Sequence, residues 1–193
     1  MTKNRVEAFS DGVIAILITI MVLELKVPQG HEWSDLRPLV PVVLSYALSF
    51  VYLGIYWLNH HHLLHTIRAV TGGILWANLH LLFWLSLVPF ATAWLGEDHG
   101  SAAASTLYGV VLLLSAVSYY ILQNVIVRTH GAGSALGRAI GRDRKGKLSL
   151  VLNAVAIPLA SVSPGAAMTL YVTVALMWFI PDRRIERALQ GEA

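Results

Sequence analysis

Three stretches of this chain carry no Asp, Glu, Lys or Arg over at least the roughly 20 residues a helix needs to cross a bilayer. They lie between Arg37 and the histidines beginning at His60, between Arg68 and Glu97, and between Gly100 and Arg128. Segments this long and apolar have few ways to fold. In hydrocarbon every backbone N–H and C=O must be satisfied within the segment, which leaves the helix. The expected spans are about 39–58, 72–95 and 102–127. A further span, about 6–27, ends at Pro28, and its strictly apolar part runs only from Gly12 to Leu23. Its polar first turns therefore belong inside protein or water.

The last apolar tract, Leu148 to Ile180, is too long for one crossing. As a single helix it would measure about 50 Å against a hydrocarbon core of about 30 Å. Ser163-Pro164-Gly165 supplies a turn, dividing it into spans of about 148–162 and 166–180. The expected fold class is all-α: a polytopic membrane protein with six transmembrane helices, forming one domain over 1–193. Pro41, Pro89 and Pro158 are candidate kinks. Ala102 to Ala104, Gly109 and Ser115 favour close helix packing.

Charge distribution orients these spans. With both termini in the cytoplasm, the inner segments hold Lys3, Arg5, Arg68, Arg128, Arg138, Arg142, Arg144, Lys145, Lys147, Arg183, Arg184 and Arg187. Those are twelve of the fourteen basic residues; only Lys26 and Arg37 fall outside. This is the positive-inside pattern. It accounts for the net charge of +3 without a nucleic-acid partner. Charged residues make up 13% of the chain, far below the soluble norm of about 25%. The absence of cysteine excludes disulfides, thiolate catalysis and Cys-ligated metals. Glu7 and Asp11 interrupt what would be a signal-peptide n-region, so the first helix is expected to be retained. The loop Thr129 to Gly146 is rich in Gly and Arg, suited to setting topology or to touching anionic lipid.

The segment Arg5-Val6-Glu7-Ala8-Phe9-Ser10-Asp11-Gly12 puts charge at the mouth of an apolar helix, a costly placement that points to use. Two uses are open: locking helices together, or direct contact with an ion. Arg5 and Asp11 are six residues apart, not one helical turn, so a buried pair would reach other helices. Farther along, Ile16, Ile20 and Leu23 fall within about 60° of one another at 100° per residue. Gly12 and Thr19 border that stripe. In a symmetric oligomer it would stack apolar rings, and such constrictions gate by dewetting. Equally, the stripe could face lipid or core.

In the run Trp57-Leu58-Asn59-His60-His61-His62-Leu63-Leu64-His65, His61 and His65 have i,i+4 spacing and His62 and His65 i,i+3 spacing. Both are compatible with metal ligation. The run holds no carboxylate and no His-Glu-x-x-His, so no metal is expected. Interfacial hydrogen bonding ranks first, with Asp11 or Glu7 as partners, and pH response second. His80, close to Asn78 and Trp76, is read as a helix-to-helix bond and a candidate partner of Ser10 or Asp11. No nucleophile elbow, P-loop or dinucleotide fingerprint appears. Neither enzyme activity nor a cofactor is expected.

The pattern Arg-x-x-x-Phe-Ser-Asp at Arg5, Phe9, Ser10 and Asp11, opening the first of six spans, resembles the signature of the transmembrane protein 175 family. That family comprises the lysosomal potassium channel and its bacterial relatives. The resemblance implies one six-helix unit per chain, a homotetramer surrounded by membrane lipids, and a pore made by the first helix. It implies Ile16, Ile20 and Leu23 as the constriction, Thr19 on a neighbouring polar ring, and potassium as the permeant ion. A bacterial member would sit in a prokaryotic inner membrane. Arg5, Ser10 and Asp11 are then expected to bond neighbouring helices and fix the angle of the pore helix. No Thr-Val-Gly-Tyr-Gly filter or re-entrant loop is present, so selectivity must arise without a carbonyl cage. The competing reading is a proton-coupled secondary transporter using Asp11 and the histidines as a relay. Such a protein would show internal pseudo-symmetry and helices broken at the midplane; the sequence displays neither, though its Pro residues keep that reading open. A scaffold without transport is the third reading.

Overall fold

Every apolar tract becomes helix in the computed structural model, which describes residues 2–98, 101–131 and 144–179. The readings placed on Arg138, Arg142, Arg183, Arg184, Arg187 and Ile180 lie outside these residues, and Arg144 is described by its backbone alone.

Helix α1 spans Lys3–Ile20 and tightens into a 3₁₀ turn over Met21–Glu24. It stops earlier than Pro28 because Leu25 has already turned extended, at φ −78° and ψ 92°. A 3₁₀ turn at Trp33–Leu39 leads into α2, Val40–His65. Pro41 lies in the first turn of α2, where no intrahelical donor is needed, so it leaves the helix intact. The helix overruns the expected end at Leu58 and carries the entire histidine run.

The expected third span is two helices end to end: α3, Gly72–Ser86, and α4, Val88–Glu97. Pro89 has no N–H for the Leu85 carbonyl, and the ladder breaks at Leu87. Thr71 caps α3 by accepting from the Ile74 N–H. Helix α5 covers Ala102–His130 and is capped by Ser101. The pair α6, Arg144–Val162, and α7, Pro164–Phe179, is divided at Ser163, as the Ser-Pro-Gly sequence leads one to expect. Among the described residues, counting α3 with α4, five helical stretches are long and apolar enough to cross a membrane, and α7 is a shorter apolar helix of 16 residues.

Helix α5 packs against α3, α4 and α6, while α6 and α7 pair with each other. Its buried face carries Ala104, Ser105, Gly109, Ser115 and Ser118. Lipid offers no hydrophobic drive between helices, so close approach over small residues and interhelical hydrogen bonds must hold them. Gly109 makes room for Tyr171: a Cβ there would run into the Tyr171 hydroxyl. Tyr171 donates to the Ser105 carbonyl at 3.1 Å, and Tyr52 of α2 donates to the Tyr171 carbonyl at 2.7 Å. Ser49 Oγ lies 2.6 Å from Thr92 Oγ1 and 2.9 Å from Tyr108 Oη, tying α2 to α4 and α5. Helix α1 rests on α2, α3 and α4 and leaves its remaining flank open.

Candidate functional site on the first helix

The flank of α1 turned into the bundle carries Val6, Ser10, Ile14 and Leu17, and Met21 continues it. The other flank is apolar and open, with Phe9 51%, Ile16 59%, Ile20 39% and Leu23 77% exposed. At 100° per residue, Arg5, Phe9, Gly12, Ile16, Ile20 and Leu23 all fall within about 80°. Thr19 borders this stripe, also exposed. Its hydroxyl donates to the Ile16 carbonyl at 2.9 Å, which spends the only proton on the helix and leaves oxygen lone pairs for an outside partner. Ile20 and Leu23 border an open groove with Phe90, Trp94 and Glu97 of α4.

The inward flank is held by a directional chain of hydrogen bonds. The Val6 carbonyl can only accept, so Ser10 Oγ donates to it at 2.8 Å. Ser10 in turn accepts from Asn78 Nδ2 at 2.9 Å. The amide oxygen of Asn78 then faces His60 Nε2 at 2.7 Å; as an oxygen it only accepts, so His60 carries its proton on Nε2. One chain thus joins α1, α3 and α2, and Ser10, Asn78 and His60 are all buried.

Nearer the surface, Trp57 Nε1 donates to Asp11 Oδ1 at 3.0 Å. Glu7 Oε1 lies 3.2 Å from His61 Nδ1 and 3.4 Å from His65 Nε2. Lys3 Nζ donates to the His65 carbonyl at 3.0 Å. Arg5 is exposed, and its side chain makes no ion pair among the described residues.

The placement of the anticipated residues follows from helix rotation. His61 and His65 meet Glu7, while Asp11 meets Trp57. His80 is not the partner of Ser10 or Asp11 within the chain. It is exposed and accepts from Trp84 Nε1 of its own helix at 3.1 Å. Trp76 is 76% exposed. Residues two apart on a helix point about 200° from one another, so the rotation that turns Asn78 inward turns both His80 and Trp76 outward. His60 is the histidine that ligand spacing does not single out. The buried face of α2 steps through Ser49, Leu53, His60 and Leu64, and that heptad-like stepping distinguishes His60 from its neighbours. Among the described residues, Glu7, His61 and His65 are the group whose atoms could together hold a metal.

The architecture defines a multi-pass helical membrane protein whose first helix is tied down on one flank and left apolar and open on the other. Residues 5–89 match the family described as Endosomal/lysosomal potassium channel TMEM175. A potassium channel of Chryseobacterium sp. (strain P1-3) is 53% identical over 190 residues, covering 98% of this chain and 99% of that one. The endosomal/lysosomal proton channel TMEM175 of Bos taurus is 35% identical over 103 residues, covering 47% of this chain and 22% of the other. The crystal structure of a lysosomal potassium-selective channel TMEM175 homologue from Chamaesiphon minutus superposes with a TM-score of 0.80 at 29% identity. It covers 92% of this chain and 96% of that one. The chain belongs to the TMEM175 family.

Proposed function

We propose that this protein is a potassium-preferring cation channel, a homotetramer in which four copies of α1 line the path and Ile16, Ile20 and Leu23 narrow it. The observation that carries this reading is the open apolar stripe of α1, left exposed while the polar side chains Glu7, Ser10 and Asp11 are committed to partners in the same chain. Arg5 opens that stripe and Thr19 borders it. An arginine and a hydroxyl with free lone pairs suit a water-filled axis better than lipid. The potassium-channel names of the relatives support the same function.

In this arrangement rings of isoleucine and leucine form a constriction that excludes bulk water unless it widens. Thr19 contributes a ring of oxygens next to it, and selectivity comes from this neighbourhood, not from backbone carbonyls. The hydrogen bonds of Ser10 and Asp11 set the angle at which α1 meets the axis, with Arg5 and Phe9 completing the motif at its foot. Glu97 is paired with Lys26, and the remaining negative charge of Glu24 and Asp98 raises the cation concentration at the outer mouth. The chain forms a single six-helix domain in a prokaryotic inner membrane, surrounded by lipid, with both termini cytoplasmic.

The test is potassium flux in liposomes reconstituted with purified protein. A potassium gradient alone is expected to drive flux, and Ile16→Asn to wet the narrow ring, raising conductance or lowering potassium preference. Unchanged currents in folded Ile16→Asn protein would remove Ile16 from the path. Saturable exchange that requires a second solute would overturn the channel reading in favour of a carrier.

A further inference from the structure

We infer that Glu7, His61 and His65 form a binding site for a zinc-class divalent transition metal that clamps the foot of α1 to the end of α2. The sequence supplies two imidazoles at i,i+4 and no carboxylate within reach along the chain; the fold supplies the carboxylate from another helix. Glu7 Oε1 stands 3.2 Å from His61 Nδ1 and 3.4 Å from His65 Nε2. A tetrahedral zinc ion with ligands at about 2.0–2.1 Å has ligand-to-ligand edges of about 3.4 Å. The three candidate ligand atoms all lie within 4.8 Å of one another. The two imidazole rings are already face to edge, with centroids 4.4 Å apart.

The donor set selects the metal class. Two imidazoles and one carboxylate suit zinc and its first-row neighbours, with the fourth position left to water. Magnesium and calcium prefer all-oxygen surroundings. Access is open: the side chains are 18% exposed at Glu7, 39% at His61 and 47% at His65. Both histidines stand on one rigid helix, and the Lys3 bond to the His65 carbonyl holds the foot of α1 against that helix. Coordination therefore needs side-chain adjustment and no backbone rearrangement. Glu7 lies one turn before Asp11, so the ion would add a third fastening beside the Trp57–Asp11 bond and the Ser10–Asn78–His60 chain. Metal would favour the packing of α1 on α2 seen here over any arrangement in which the two separate.

The experiment uses full-length protein in detergent, stripped with a chelator and titrated with zinc chloride, with magnesium chloride as control. Calorimetry is expected to find one zinc site per chain, and melting curves a rise of about 5–10 °C at a hundredfold excess over Kd. Magnesium is expected to do neither. Glu7→Gln and His61→Ala should each weaken zinc binding by about tenfold or more, and His62→Ala should leave it within about twofold. Zinc binding that is absent, or undiminished in both variants, overturns the site. Should His61→Ala fail to fold, Glu7→Gln decides alone, since it keeps the shape of the side chain and one acceptor. These readouts measure binding and not flux, so they succeed or fail separately from the channel reading.

Discussion

On one flank of α1, Glu7, Ser10 and Asp11 each meet a side chain from α2 or α3, whereas on the other Phe9, Ile16, Ile20 and Leu23 stand between 39% and 77% exposed. A soluble protein would bury Ile16, Ile20 and Leu23 along with Val6, Ile14, Leu17 and Met21, and leave Glu7 and Asp11 in water. The reversal follows from the solvent. Apolar side chains gain little by leaving lipid for protein, so polar atoms and close packing decide which face of a membrane helix is captured. The residues that look functional by their charge are largely spent on fastening. Those that look ordinary are the ones left facing outward.

That contrast can be broken by comparing Ile14 with Ile16, identical side chains on opposite flanks. Ile14 is fully buried, and Ile14→Ala should cost about 2–4 kcal/mol through the cavity it leaves. Ile16→Ala should stay within about 0.5 kcal/mol. Thermal denaturation in detergent measures both, and equal losses would erase the distinction between the flanks. A smaller effect is expected at the centre of the hydrogen-bonded chain. Asn78→Leu strands the His60 Nε2–H in the bundle and should cost about 1–3 kcal/mol. A variant as stable as the parent would show that this chain fastens nothing. The smallest effect is expected at the more exposed pair, where Trp57→Phe removes only the donor to Asp11. Bonds between membrane helices average about 0.6 kcal/mol, so the melting temperature should fall by about 2 °C. A loss as large as that of Asn78→Leu would mean that the exposed pair, not the buried chain, fixes the helix.

Features that arise within a single helix are legible in the order of residues alone. The uncharged tracts, the turn at Ser163 and the stripe of Ile16, Ile20 and Leu23 each follow from local pattern. Pro89 marks an interruption, and the span breaks two residues before it, at Leu87. Legibility ends where partners have to be matched across the chain. Spacing selects His61 and His65, whereas His60, one position away, is the buried histidine. His80 and Trp76 group with Asn78 along the chain, and only Asn78 turns inward.

The set of helices is written in the order of residues, because hydrocarbon forces each backbone to satisfy its polar groups within its own segment. Which polar side chains meet is a matter for the tertiary fold. Trp57 reaches Asp11 across 46 residues and Asn78 reaches Ser10 across 68. Such pairings depend on the rotation and offset of whole helices, and one residue of register turns a side chain by about 100°. The same rotation brings Glu7 to two histidines that have no carboxylate of their own.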